Sequence, residues 1–222
     1  MLTLTEIAAN PHRLTRRLSP GGGPDVIVRP LTHADAGPLA EFLGALSPAS
    51  RRFSTFDGYD LATAQELCDA IARHDKLRLV LQEVPSGRIV GLLEFGLALT
   101  ASDTARYRDA GIRLSEATDC RFGPTLADDH QGRGVGTLVF PLVTETARLL
   151  GRRRIILWGG VRADNPRAIR YYEKNGFRRV GSFTEADGSL SLDMMLDPDP
   201  DPDPDPDPGP GPAGSATRRG RP

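Results

Sequence analysis

With 222 residues, 39% of them hydrophobic and 26% charged, and a formal net charge of -1, the chain has the composition of one soluble globular domain. Six of its 29 acidic residues fall after Leu196, which leaves the rest near neutral and excludes the concentrated basic surface of a general nucleic-acid binder. Two cysteines, four histidines without ligand or triad spacing, and no apolar run of signal-peptide or membrane-spanning type point to a reduced, cytoplasmic protein with no metal, no nucleic acid and no membrane partner.

Residues 1–24 read as an extension and linker: a weak helical start, "LTEIAA", precedes "RLTRRLSPGGGPD" with its cluster of Gly and Pro. One α/β pattern then fills 25–197. "VIVRPL" (26–31) is an expected strand, Thr32 and Asp35 form a capping box, and Leu39, Phe42, Leu43 and Leu46 recur at helical spacing. Asp60 is placed to cap a second helix running to about His74, with Leu67, Ala70 and Ile71 inward. "LRLVLQEV" and "RIVGLLEFGLAL" flank Pro85-Ser86-Gly87 as a hairpin, and "DCRFGPTLA" (119–127) is a further strand. After a glycine-rich loop, Leu138, Val139, Leu142, Val143 and Leu149 mark a helix closed by Gly151 and expected to kink at Pro141. "RIILWGGV" reads as a buried strand. Asn165-Pro166 starts a helix, Asn175-Gly176 stops it, and "FRRVGSF" and "SLDMML" complete the sheet. From 198 to 222 alternating Asp and Pro can bury little apolar surface, so a disordered tail is expected.

The loop in "DDHQGRGVGTLVF" (128–140) carries the chemistry. It fails the dinucleotide fingerprint, because Thr137 stands where the third Gly belongs, and it fails the nucleotide P-loop, because no Lys follows. What remains is a glycine-rich turn between a strand and a helix, whose first N–H groups lack intrahelical partners and face outward with the positive end of the dipole. On those grounds a phosphate seat and a tight structural turn both stay open.

Gln131 to Gly136 match Gln/Arg-x-x-Gly-x-Gly/Ala, and the chain here resembles the GCN5-related N-acetyltransferases (GNAT), in which that pattern binds acetyl-CoA. "NPRAIRYYEKNGF" (165–177) is similar to the same family's Asn-x-x-Ala-x-x-x-Tyr-Glu-Lys-x-Gly-Phe helix and turn, at the expected spacing. The resemblance covers about residues 25–197. It implies an α/β fold: a mixed, mostly antiparallel twisted sheet flanked by helices and splayed at its central parallel strands. It also implies acetyl-CoA as co-substrate and no metal. The pyrophosphate would lie on Gln131, Gly132, Arg133, Gly134, Val135, Gly136 and Thr137, the pantetheine along Thr125 and Leu126, with Asn165 as a further contact. A backbone N–H of that strand would polarise the thioester carbonyl.

In the family's pattern Tyr172 is the general acid for the leaving thiolate, and helical geometry places it on the inward face with Ala168 and Ile169. Some relatives carry a Glu on the strand before the loop, where this chain has Arg121. Glu94, a lone carboxylate in "GLLEFGL", is the preferred base, with ordered water as the other route and Asp119 and Glu116 as weaker candidates. "SPASRRFSTF" resembles the acceptor-recognition segment of certain acyltransferases of the family, some of which modify protein lysines. The expected activity is acetyl transfer to a primary amine of a small molecule. Protein lysine or N-terminal acetylation and a non-catalytic CoA-binding module are the alternatives. A homodimer stays open.

Overall fold

The computed structural model describes residues 1–21 and 23–197, and the expected Asp-Pro tail lies outside the described residues. One sheet contains β1 (Arg16–Leu18), β2 (Val26–Pro30), β3 (Lys76–Glu83), β4 (Ile89–Gly96), β5 (Asp119–Leu126), β6 (Arg154–Leu157), β7 (Val161–Arg162), β8 (Arg178–Thr184) and β9 (Leu190–Leu196). The order is β1-β2-β3-β4-β5-β6-β9-β7 with β8 paired on β9. Only β5 and β6 pair in parallel. The helices are α1 (Leu4–Ala9), α2 (Ala36–Ala45), α3 (Pro48–Arg51), α4 (Leu61–Asp69), α5 (Ala101–Asp109), α6 (Val135–Leu149) and α7 (Pro166–Lys174).

Local chemistry sets most boundaries. Asp35 closes a capping box with Thr32 and takes two hydrogen bonds from the Arg29 guanidinium, at 2.8 and 2.7 Å. Asp60 caps α4 by accepting from the Thr63 N–H. Helices α6 and α7 each end on a left-handed glycine, Gly151 and Gly176, where the chain turns back into the sheet. Helix α6 runs unbroken through Pro141. The β3–β4 hairpin turns at Gly87, whose φ is 71°.

The main core packs both sheet faces beneath the helices α1, α2, α4, α6 and α7, with Leu79 and Leu93 paired on one face and Val80 and Leu92 on the other. Along β6, Ile155 and Leu157 face that core, while Ile156 turns to the opposite face and meets Tyr107, Leu114 and Met195. Tyr107 comes from α5, an element with no counterpart in the sequence reading, and its hydroxyl donates to the Met194 carbonyl at 2.8 Å. Arg106 pairs with Asp103 within α5 and with Asp193 on β9, and the second pair fastens the helix to the sheet.

Three expectations need correction. Residues 1–24 are not a free linker: Leu2, Leu4, Ile7 and Leu14 are buried in the main core, and β1 pairs with β2. The strand expected over 154–161 is broken, because Gly159 and Gly160 adopt φ values of 70° and 72° and turn the chain between β6 and β7. Leu149, expected inward, is 37% exposed at the end of α6.

Leu14 is fully buried, so Leu14→Ala should lower unfolding free energy by about 2–5 kcal/mol, read by denaturant titration. Burial raises the pKa of Asp35, but its hydrogen bonds from Arg29 and Thr32 outweigh that and hold it below the ordinary 3.8. Its contribution is therefore fully present above that value and fades as pH falls through the lower folded value. Across pH 5 to about 2, the stability gap between wild type and Asp35→Asn should narrow steadily.

Candidate active site

The sheet splits at its parallel pair. Register runs from Asp119 opposite Arg154 to Phe122 opposite Leu157, and the last contact is the Trp158 N–H donating to the Phe122 carbonyl at 2.9 Å. Beyond it β5 continues to Leu126 against β4 alone. The Ala127 N–H donates to Val90 on the β4 side, so by strand alternation Pro124 and Leu126 direct their backbone groups into the split. Pro124 has no N–H to offer there. Leu126 directs its N–H into the opening, while its carbonyl accepts from Gln131 Nε2 at 2.9 Å.

A cleft of about 1390 Å³ occupies the split and extends over the glycine loop and along α7. Gly132 and Gly134 hold φ values of 73° and 81°, a backbone shape that other residues adopt with strain. Gly136 answers a different need, since a Cβ there would lie 3.0 Å from the Tyr171 ring. Side chains brace the loop from three sides. Gln131 donates to Ser50 Oγ and accepts from Arg167, joining α3, the loop and α7. Asp128 accepts from the Ser47 N–H, the Ser47 hydroxyl and the Ser50 hydroxyl. Asn165 caps α7 by accepting from the Ala168 N–H at 3.1 Å and also lines the cleft.

Tyr172 lies on the cleft wall, 7% exposed, with its ring against Tyr171 and Phe177. Its hydroxyl has no hydrogen-bond partner among the described residues. Burial, reinforced by Tyr171, pushes its pKa well above the ordinary tyrosine range, so the phenol is protonated at neutral pH. Tyr171 instead turns toward the loop, and its hydroxyl donates weakly to the Gly136 carbonyl at 3.4 Å.

Glu94 sits opposite Gly123 in the sheet register, with Arg78 opposite it on the other side. Arg78 Nε donates to Glu94 Oε1 at 2.8 Å, a buried ion pair that the sequence reading did not anticipate. A second cavity of about 200 Å³, between the end of α4 and β3, meets the main cleft at Thr55, Glu94 and Trp158. Trp158 stacks beneath the Arg121 guanidinium at 4.2 Å, and Gly96 and Gly123 leave room for its ring. Arg121 itself pairs with Asp103 and does not line the cleft. Asp119 is also outside it, fully buried and paired with Arg154 at 2.6 Å. Glu116 accepts from the Leu99 N–H away from the cleft. Both thiols are unsuited to nucleophilic work, since burial pushes Cys68 up to about 11 and Cys120 up to about 12.

The cleft brings together Glu94, Thr125, Leu126, Gln131, Gly132, Gly134, Gly136, Thr137, Asn165 and Tyr172. It does not include Arg133, which is exposed, or the side chain of Val135, which is in the core. Trp158 and an Arg52–Asp164 ion pair across the cleft were not singled out from the sequence. Six residues of the "SPASRRFSTF" segment, Ala49, Ser50, Arg52, Phe53, Ser54 and Thr55, do line it. Among the described residues no cluster of three metal-ligating side chains occurs, and no helix is long and apolar enough to cross a membrane.

Solved structures with the same fold include the GNAT domain of S. lividans PAT. It is 22% identical with a TM-score of 0.63, over 84% of this chain and 98% of that one. The aminoglycoside acetyltransferase AAC(6')-Ib, in complex with ribostamycin and coenzyme A, matches at 23% identity and a TM-score of 0.60, covering 78% and 93%. A ribosomal-protein-S5-alanine acetyltransferase from Vibrio fischeri matches at 12% identity and 0.64, covering 85% and 99%. No curated protein matches significantly. The sequence profile described as Acetyltransferase (GNAT) domain matches residues 25–178, and the chain belongs to that acetyltransferase family.

Proposed function

We propose that this protein transfers an acetyl group from acetyl-CoA to a primary amine of a small molecule. The observation that carries the proposal is the continuous path from the braced glycine loop, along the open β5 edge, to the protonated Tyr172 hydroxyl. The residues suit the donor. The N-terminus of α6 and the glycines before it offer N–H groups to a pyrophosphate. The Pro124 carbonyl and the Leu126 N–H offer one acceptor and one donor to an extended amide-bearing arm, as an added strand would require. Acetyl-CoA, bound there, supplies an activated thioester that an amine can attack directly.

The chain's own groups then have defined work. Leu126 supplies the one N–H that β5 directs into the split between Gly123 and Leu126, and pairing with the donor's arm uses it. Tyr172 holds a proton where a thiolate must leave. Its low-dielectric surroundings destabilise a bare thiolate as much as a phenolate, so donation from the hydroxyl offsets that cost. Glu94 stands where the two cavities meet and takes the ammonium proton, while Arg78 fixes the carboxylate through Oε1. The side cavity of about 200 Å³ suits a compact amine better than a folded protein surface. Acceptors named for the structural neighbours, an aminoglycoside and a ribosomal protein, are both amines and support the reaction class.

Thiol release from acetyl-CoA, measured over a panel of small amines and peptides, should show turnover with small amines first. Donor binding with no turnover on any acceptor would favour a non-catalytic CoA-binding module. Tyr172→Phe should lower kcat by about 100-fold with donor affinity nearly unchanged. Equal turnover in the two proteins would remove Tyr172 from the mechanism. Glu94→Gln should move the rising limb of the pH–rate profile to higher pH, in protein shown by its melting temperature to be folded. An unmoved limb would assign the proton to ordered water instead.

A further inference from the structure

The outward face of α7 carries three cations that the proposed chemistry has not used. Arg167, Arg170 and Lys174 are spaced three and four residues apart, which aligns them on one helix face, and all three line the main cleft. Arg167 is already tied to Gln131 Oε1 at 2.8 Å, which fixes the start of this face against the glycine loop. Arg170 and Lys174 form no hydrogen bond or ion pair among the described residues. The neighbouring acid on the helix, Glu173, is taken by Arg179 at 2.8 Å and does not line the cleft. The result is a stretch of cleft wall with uncompensated positive charge, continuing outward from the loop.

We infer that Arg170 and Lys174 form a phosphomonoester site at the outer end of the cleft, which reads the 3'-phosphate of the donor nucleotide. The inference rests on the acetyl-CoA reading and extends it. A pyrophosphate on the glycine loop engages backbone N–H groups and leaves these two side chains unused. Coenzyme A carries one further phosphate, on its ribose, with a charge near -2 at neutral pH. Such a group gains more from a guanidinium and an ammonium together than from backbone donors alone. Because the two side chains are exposed, the contact should weaken with added salt.

The test compares the affinity of coenzyme A with that of 3'-dephospho-coenzyme A, by calorimetry on the full chain. Wild type should bind coenzyme A about tenfold more tightly, and the difference should shrink in raised salt. The double variant Arg170→Gln, Lys174→Gln keeps the side-chain stems and should bind both nucleotides alike, at the wild-type dephospho affinity. Arg108→Ala, a surface arginine on α5 outside the cleft, should keep the tenfold preference and so exclude a general loss of positive charge. Equal binding of the two nucleotides by wild type overturns the inference, as does a preference that survives in the double variant. If wild type binds neither nucleotide, the acetyl-CoA reading itself fails, which is a separate result.

Discussion

The site depends on a ladder that cannot continue. Strands β5 and β6 pair in parallel from Asp119 to Phe122, and the next backbone position of β5 that faces β6 is Pro124, which has no hydrogen to donate. On the other strand, Gly159 and Gly160 turn the chain away one residue after Trp158. In a closed sheet an unpaired strand edge would be a liability. Here the two interruptions coincide and leave a short backbone edge, supported from behind by β4, open to whatever enters the cleft.

Rigidity around that opening comes from polar ties that span long stretches of sequence. Gln131 joins the end of β5, the short helix α3 and the first turn of α7 through three hydrogen bonds. Asp128 holds α3 from the other side, so the floor and lip of the cleft are tied together. Tyr171 then packs against Gly136, and the neighbouring Tyr172 projects into the cleft with its hydroxyl unengaged. Two adjacent tyrosines thus differ in their surroundings: one packs against the glycine loop, and the other lines the cleft.

Elements with strong local signals were legible in the sequence. The Thr32–Asp35 capping box, the turn at Gly87 and the Asn165-Pro166 start all sit where their residue types demand. The glycine loop and the Asn165–Phe177 block identified the family without any tertiary information. Helix α5 escaped because Tyr107 is its one buried apolar residue, too little for a helical period to show. Strand β1 escaped because its neighbours are Gly and Pro, and its pairing with β2 is a tertiary fact. Within the site, Glu94 was visible as a lone carboxylate, but its ion pair with Arg78 follows only from the β3–β4 register. The meaning of Pro124 likewise needs strand direction, which residue identity alone does not supply.

The central claim is that the donor pairs with the open edge of β5 as an extra strand would. Amide hydrogen exchange at residue resolution, with and without coenzyme A, tests it most directly. The account predicts that the Leu126 N–H, directed into the split, slows markedly on binding, together with the N–H groups of Gly134 to Thr137. Protection of the loop with no change at Leu126 would contradict strand-like pairing of the donor. No change at either place would contradict the assignment of the cleft.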